Sequence, residues 1–327
     1  MIDFKNILVI QTAFIGDAIL ASSLIEKLHA YYPNAKISIL VRKGNESIYE
    51  GHPFITETLV WNKQHHKFKH LFQLMFKIRN SKYDCVVNCH RYASSGFLTG
   101  FSGAKHTCGY KENPFSFLFN YTIKHKIGNG THETKRYNQL IEDFTDQIVF
   151  KPKLYPSTVD IEYIKSLQKT TYLCMAPASV WFTKQLPIKK WIELCDKTDA
   201  NTVIYLLGAK SDLTLCESIK ASSTHKNIRI VAGQLSLLQS AALIKAAKMT
   251  YVNDSAPLHL ASSVNAAVTA FFTSTIPEFG FGPLSDNSTL IEVTDLECRP
   301  CGLHGYKACP LGHFKCGYLM DLSVLHP

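Results

Sequence analysis

The chain has 327 residues, of which 46% are hydrophobic and 19% charged, enough for two ordinary domains with full cores. Lys and Arg number 35 against 26 Asp and Glu, a formal excess of +9 that favours an anionic partner and leaves nucleic acid, phosphorylated lipid and sugar nucleotide open. The opening "MIDFKNILVIQ" lacks the basic-then-apolar order of a secretion signal, and no run of about 18 apolar residues occurs, so the expectation is a cytoplasmic protein that at most docks on a membrane surface.

Short β-rich runs alternate with helical ones, the pattern of parallel sheets crossed by helices. "KNILVIQT" reads as a buried strand, "GDAILASSLIEKLHAYYP" as an amphipathic helix stopped at Pro33, and "AKISILV" as the next strand. Residues 63–82, "KQHHKFKHLFQLMFKIRNSK", place Phe68, Leu71, Phe72 and Met75 at helical spacing. They predict an amphipathic helix packed on the N-terminal sheet, with a basic face that can also attract anionic headgroups of an inner membrane leaflet. After the strand "YDCVVNCH" (83–90) the pattern weakens, and residues 105–160 are rich in Gly, Asn, Pro and Lys, which places a domain boundary there. Alternation returns with "TYLCMAPAS", "NTVIYLLG", "NIRIVAG", "MTYVND" and "AAVTAFF". The expected architecture is α/β, with one doubly wound domain over residues 1–158 and a second over 159–327.

Ligands of open α/β sheets bind beyond the strand C-termini, so the expected site lies in a cleft between the two domains. In the first, "QTAFIGDA" puts Gly16 and Asp17 at the first strand-to-helix turn but lacks the G-x-G-x-x-G spacing, which disfavours a plain NAD enzyme. Read locally, Asp17 is as well explained as a helix N-cap. In the second, "VNDSAPLHLASS" (252–263) reads as a strand end followed by a helix, with Asp254 near the N-cap, Pro257 in the tolerated first turn, and Ser255 and His259 on one face at i, i+4. Free backbone N–H groups at such a helix start bind anions. The local alternative is a capping Asp254 and a core His259. "APASVWFTKQLP" adds Ser179 and Lys184 on a strand-end loop of the same domain, where Lys184 suits a phosphate, although a lone loop lysine is commonly just solvated.

Taken together, "ILVIQTAFIGDAILASSLIEKLHAYYPNAKISILVRKGN", "APASVWFTKQLPIKKW", "NDSAPLHLASSVNAAVTAFFTSTIPEFGFGPLS" and "CRPCGLHGYKACPLGHFKC" resemble, in order along nearly the whole chain, the glycosyltransferase family 9 heptosyltransferases, bacterial enzymes that add heptose to the lipopolysaccharide inner core. The resemblance implies a GT-B fold of two Rossmann-like domains facing across a cleft, an N-terminal acceptor domain, a C-terminal nucleotide-sugar domain, and inverting transfer that needs no metal. It implies Asp17 as general base, Lys184 on the donor phosphates with Ser179 nearby, and Asp254, Ser255 and His259 holding the nucleotide sugar. Ala256 stands where the family usually has Gly, and Asp212 in "GAKSD" is the nearest match to an acidic donor contact. The implied donor is ADP-heptose, the acceptor a lipid-linked oligosaccharide core, and nucleic acid is not a partner. The chemistry agrees with this division of labour: inversion needs a base on the acceptor hydroxyl, and a diphosphate leaving without metal needs helix N-termini, Lys and His to hold its growing charge. Two other readings stand beside it, a nucleotide-sugar epimerase of the same architecture and a basic, zinc-clipped nucleic-acid-binding protein.

Six of the ten cysteines, from Cys85 to Cys216, fall in strand and helix patterns, where Cys acts as a small buried hydrophobe. Cys298, Cys301, Cys309 and Cys316 instead form C-x2-C-x7-C-x6-C, a spacing consistent with a structural zinc, with reduced thiols and disulfides left open. Many family members carry a similar cluster and others lack it, so the resemblance implies that catalysis does without it. The family's closing helix is short here, since the chain stops at "MDLSVLHP".

Overall fold

Five of the six residues of Asn6–Gln11 are buried, as a run of Ile, Leu and Val with no polar alternation requires of a strand covered on both faces, and this segment is the first strand, β1. A computed structural model describes residues 3–64, 67–325 and 327, so His65 and His66 of the basic segment lie outside the described residues. The chain divides into two units, one running to Ile127 and including Thr131–Tyr155, the other comprising Gly128–Gly130 and Pro156–Pro327. The division falls after Tyr155, against the expected residue 158.

In the first unit β1 is followed by α1 (Ile15–Tyr31), β2 (Lys36–Arg42), β3 (Ile55–Trp61), α2 (Lys67–Asn80), β4 (Cys85–Asn88), α3 (Ala93–Gly100), β5 (His106–Tyr110), β6 (Tyr121–Ile123) and α4 (Glu133–Gln139). The strands pair in parallel in the order β3-β2-β1-β4-β5-β6. Leu8, Ile10, Leu40, Leu59, Trp61, Leu71, Leu74, Ile78 and Val86 meet in one of its cores. The weak pattern after residue 105 therefore conceals two more strands of the first sheet.

Helix α1 is not the one-sided amphipathic helix its sequence suggests, because Ala18–Ile25, Lys27 and Leu28 are all buried. Its polar groups are satisfied internally. The hydroxyls of Ser22 and Ser23 donate to the carbonyls of Ile19 and Leu20, and the Lys27 ammonium donates to the carbonyls of Asp146 and Ile148 at 2.6 and 2.9 Å, beside the Asp146 carboxylate. Helix α2 departs from expectation in another way. Leu71, Leu74 and Ile78 form its buried stripe, while Phe68 and Phe72, expected to pack on the sheet, are exposed.

The second unit runs α5 (Thr158–Ile164), β7 (Tyr172–Ala176), α6 (Ile188–Lys197), β8 (Val203–Leu206), α7 (Leu213–Ser222), β9 (Ile228–Ile230), α8 (Leu237–Lys245), β10 (Met249–Asn253), α9 (Ala256–Ser263), β11 (Val268–Phe272), β12 (Ser288–Glu292) and α10 (Lys315–Tyr318). Its parallel order, β12-β11-β10-β7-β8-β9, repeats the first with the sequence numbers shifted. Met320 and Leu322 of the tail are buried in this unit's core with Trp191, Leu194 and Phe271. Both orders are doubly wound, each with a switch point where successive connections leave in opposite directions, between β1 and β4 in one unit and between β7 and β10 in the other. Among the described residues no helix is long and apolar enough to cross a membrane.

Candidate functional site

At the switch point of the second unit, the loops after β7 and β10 are bonded to each other. Asn253, the last residue of β10, accepts from the Leu186 N–H at 2.9 Å through Oδ1 and donates to the Pro177 carbonyl at 2.8 Å through Nδ2. Nothing in the sequence marks Asn253 for a role, yet its amide fixes the loop carrying Lys184. Lys184 closes a short 3-10 turn, Phe182–Lys184, and its ammonium lies 2.7 Å from Asp254 Oδ2. The Thr275 hydroxyl donates to the same oxygen at 2.6 Å. Asp254 is thus a buried carboxylate paired with a lysine that keeps further N–H donors in reserve.

The cap assignment changes with this geometry. Ser255 is the N-cap of α9, without a side-chain cap bond, and Asp254 precedes it and faces Lys184 and Thr275. Ala256 opens α9 with Pro257 in its first turn, as expected, and the Ser255 hydroxyl reaches its own turn, at 3.4 Å from the Asn253 carbonyl. His259 is buried on α9, its ring 6.3 Å from that of Phe281. Ser179 is half-buried on the same loop as Lys184, its carbonyl accepting from Gln185 Nε2 at 2.7 Å. Asp212 sits differently: its carboxylate accepts from the Ala209 N–H at 2.8 Å and the Ser211 hydroxyl at 3.1 Å, so it organises the turn into α7.

The loop after β11 supports this site from below, and Arg299 holds the loop. Its guanidinium donates to the carbonyls of Phe272, Thr273, Thr275 and Val293 at 3.2, 2.7, 2.6 and 3.0 Å and to the Glu292 carboxylate at 2.5 Å. Nothing in the sequence marked Arg299, because its role depends on four carbonyls gathered by the fold. Thr183 adds a second tie, its hydroxyl accepting from the Tyr306 N–H at 2.7 Å and its carbonyl from the Thr273 hydroxyl at 2.5 Å. Gly305 lies against this segment with φ +73°, where a Cβ would meet Thr183 Oγ1 at 2.8 Å. Only glycine fits there without displacement.

In the first unit Asp17 lies in the first turn of α1, two residues beyond its start, and Phe14 is the N-cap. The cap reading of Asp17 is therefore set aside. An acid in the first turn is favoured by the helix dipole, and the Asp17 charge is felt by the buried Tyr137, whose hydroxyl accepts from Gln11 Nε2 at 2.8 Å. Around the end of β1, Thr12 Oγ1 lies 3.3 Å from His90 Nδ1, and the Lys63 ammonium donates to the Thr12 carbonyl at 2.6 Å above the Trp61 ring. Burial, with Lys63 and Arg91 adding to it, pushes His90 down to about 3, so its imidazole is neutral at ordinary pH. Burial, then Arg42 and Lys67, lowers Lys63 to about 8. Lys63 and His90 are groups of this unit's switch point that no sequence motif marks.

The model of glycosyltransferase family 9 (heptosyltransferase) matches residues 71–309. The chain belongs to this family. The lipooligosaccharide heptosyltransferase 2 of Haemophilus influenzae is 23% identical over 321 residues, covering 89% of this chain and 90% of the relative. Among solved structures, a family 9 glycosyltransferase from Veillonella parvula superposes with a TM-score of 0.82 at 21% identity, over 90% of this chain and 89% of that one. The ADP-heptose lps heptosyltransferase II of E. coli superposes with a TM-score of 0.78 at 23% identity, over 92% of each chain. The fold is thus the expected GT-B class of two Rossmann-like domains, and the protein is a glycosyltransferase. That assignment displaces the epimerase and nucleic-acid-binding readings.

The cysteine tail of this glycosyltransferase is also built against the Lys184 site. The Cys301 N–H donates to the Ser274 carbonyl at 2.8 Å, and Arg299 stands between Cys298 and Cys301. The Cys298, Cys301 and Cys309 side chains line one hollow, while Cys316 is buried. Sulfurs with such neighbours have the right chemistry for zinc. Among the described residues no three His, Cys, Asp or Glu side chains are grouped as a bound metal would hold them. The Cys301 thiol donates to the Cys298 carbonyl at 3.3 Å, and the Cys309 sulfur accepts from the Phe314 N–H at 3.4 Å.

Proposed function

We propose that this glycosyltransferase moves heptose from ADP-heptose to a lipopolysaccharide core or a related lipid-linked glycan, with inversion at the anomeric carbon and no metal in the catalytic step. The observation that carries the reading is the Lys184–Asp254 pair at the switch point of the second unit, where an ammonium is held beside a helix N-terminus. Lys184 meets the donor diphosphate with its remaining N–H groups, and the start of α9 at Ser255 and Ala256 offers backbone donors to the same anion. Asp254 fixes Lys184 and accepts from a hydroxyl of the nucleotide sugar, and His259 lies one turn further along the helix. Ser179 borders the diphosphate from the Lys184 loop. As the diphosphate leaves, its growing charge is met by groups already in place, which costs no reorganisation.

Asp17 takes the proton of the attacking acceptor hydroxyl, and the neutral His90 and the Lys63 ammonium shape the acceptor side. The names of the similar proteins support the choice of substrates, since one is called a lipooligosaccharide heptosyltransferase and another an ADP-heptose lps heptosyltransferase. The zinc proposed for Cys298, Cys301, Cys309 and Cys316 would serve only to hold the tail, after rotation of the thiols into a common sphere. A thermal-shift panel of ADP-, GDP- and UDP-sugars tests the donor. A ligand at 100 times its dissociation constant stabilises by about 2.7 kcal/mol, and ADP-heptose is the one expected to do so. Stabilisation by a UDP- or GDP-sugar in its place would overturn the donor assignment.

A further inference from the structure

Helix α2 has two apolar faces. One, Leu71, Leu74 and Ile78, is buried in the first unit's core. The other consists of Phe68, Phe72 and Phe76, spaced i, i+4, i+8 and therefore in line along the helix, and these are 70%, 50% and 59% exposed. The stripe does not end at α2. Phe72 and Phe97 of α3 meet edge to face at 5.5 Å, Phe97 and Phe115 at 6.1 Å, and Phe115 stacks with Phe117, which is 77% exposed. Phe68 and Phe72 also line an open apolar hollow with Tyr92, Phe97 and Phe115. Single exposed aromatics are ordinary, but a continuous aromatic surface of this kind is a docking site.

Charge identifies the occupant. No acidic residue occurs between Glu57 and Asp84; Lys67, Lys69 and Arg79 are exposed on the same helix, where Lys77 is paired with Glu57 at 2.6 Å, and the Lys67 ammonium lies 5.7 Å from the centre of the Phe68 ring. Against a second copy of this chain, such a surface would set lysine against lysine. Anionic headgroups above an apolar interior match it in both respects, since basic side chains pair with the headgroups while aromatic rings enter the acyl boundary. We infer that the Phe68/Phe72/Phe76 stripe of α2, continued by Phe117, seats the first unit on an anionic bilayer surface. The rings insert and the flanking lysines contact the headgroups, so binding combines an apolar and an electrostatic contribution.

The test uses the full chain with no donor or acceptor present, so its outcome is independent of the transfer reaction. Sedimentation is measured with vesicles containing phosphatidylglycerol and with neutral phosphatidylcholine vesicles. The parent protein should bind the anionic vesicles and bind the neutral ones far more weakly. A Phe68→Ser/Phe72→Ser/Phe117→Ser variant, altered only at exposed positions, should lose at least about tenfold in binding even at low salt. Lys67→Gln and Lys69→Gln should each cost about fivefold, a loss that added salt reproduces in the parent. Circular dichroism and nucleotide-induced thermal shift confirm that the variants are folded. Undiminished binding by the triple-Ser variant, or equal binding to neutral vesicles, would overturn the inference. So would light scattering that shows a parent dimer dissolved by the same substitutions, since the patch would then be an interface between copies.

Discussion

Replacing Lys184 by Ala removes one partner of an ion pair whose side chains are only 16% and 7% exposed, and whose atoms are 2.7 Å apart. Thr275 remains on the same carboxylate oxygen at 2.6 Å, so Asp254 is left with one donor where it had two. A charge-assisted hydrogen bond is worth about 1.5–3 kcal/mol, and stranding a fully dry carboxylate costs about 3–5 kcal/mol. Lys184 is open enough for water to enter its place, which selects the lower range. In a unit of this size each kcal/mol moves the melting temperature by about 2–4 °C, so Lys184→Ala should melt about 3–12 °C lower. It should also weaken ADP binding by about 1.5–3 kcal/mol if, as proposed, the same ammonium meets the diphosphate. Asp254→Asn leaves the opposite charge uncompensated. The double variant Lys184→Met/Asp254→Asn removes both charges and should recover much of the thermal loss but none of the nucleotide affinity. Scanning calorimetry and titration calorimetry read the two quantities separately. If the stability losses of Lys184→Met and Asp254→Asn, measured singly, simply add in the double variant, the two groups are uncoupled and the pairing does not hold.

Three further outcomes follow from the same geometry. Asp17→Asn preserves size and the first turn of α1, so the fold and ADP affinity should be retained while transfer falls about 10²–10⁴-fold in a steady-state rate assay; near-normal turnover would move the base elsewhere. Arg299→Lys keeps the charge but cannot reach four carbonyls at once, so chemical denaturation should report a loss of about 2–3 kcal/mol with weakened ADP binding through Thr275; unchanged values would show that the post-β11 loop holds itself. Protein purified under reducing conditions should carry about one equivalent of zinc by elemental analysis, and removing Cys309 should release it; metal-free, fully folded protein would dispose of the cluster as a metal site.

The switch-point residues were legible because a strand end followed by a helix start can be read from a few residues. Asp17 follows the Ile- and Val-rich run of β1, Asp254 follows the short strand "MTYVN", and "SAPLH" announces a helix through Pro257. Their partners were less legible. Nothing local pairs Lys184 with Asp254, 70 positions away, until the parallel β7–β10 neighbours bring the two loops together. Asn253 and Arg299 act chiefly on backbone N–H and carbonyl groups, which recur at every position, so the sequence around them carries no sign of the role. The strands β5 and β6 went unread because His106–Tyr110 and Tyr121–Ile123 are short and include Gly, His and Thr in place of an aliphatic run. Helix α2 was recognised but its faces were not, since Phe68 and Phe72 fit a core stripe as well as a surface one until Leu74 and Ile78 are seen to fill the core.

Inverting heptosyl transfer from ADP-heptose is tested by its product. Purified protein is incubated with ADP-heptose and a heptose-deficient lipopolysaccharide core, ADP release is followed, and the anomeric configuration of the new bond is read by NMR. ADP release should be matched by a new glycosidic bond of inverted configuration, with the rate unaffected by a chelator. Retention of configuration, or transfer that proceeds from a UDP- or GDP-sugar and not from ADP-heptose, would contradict it.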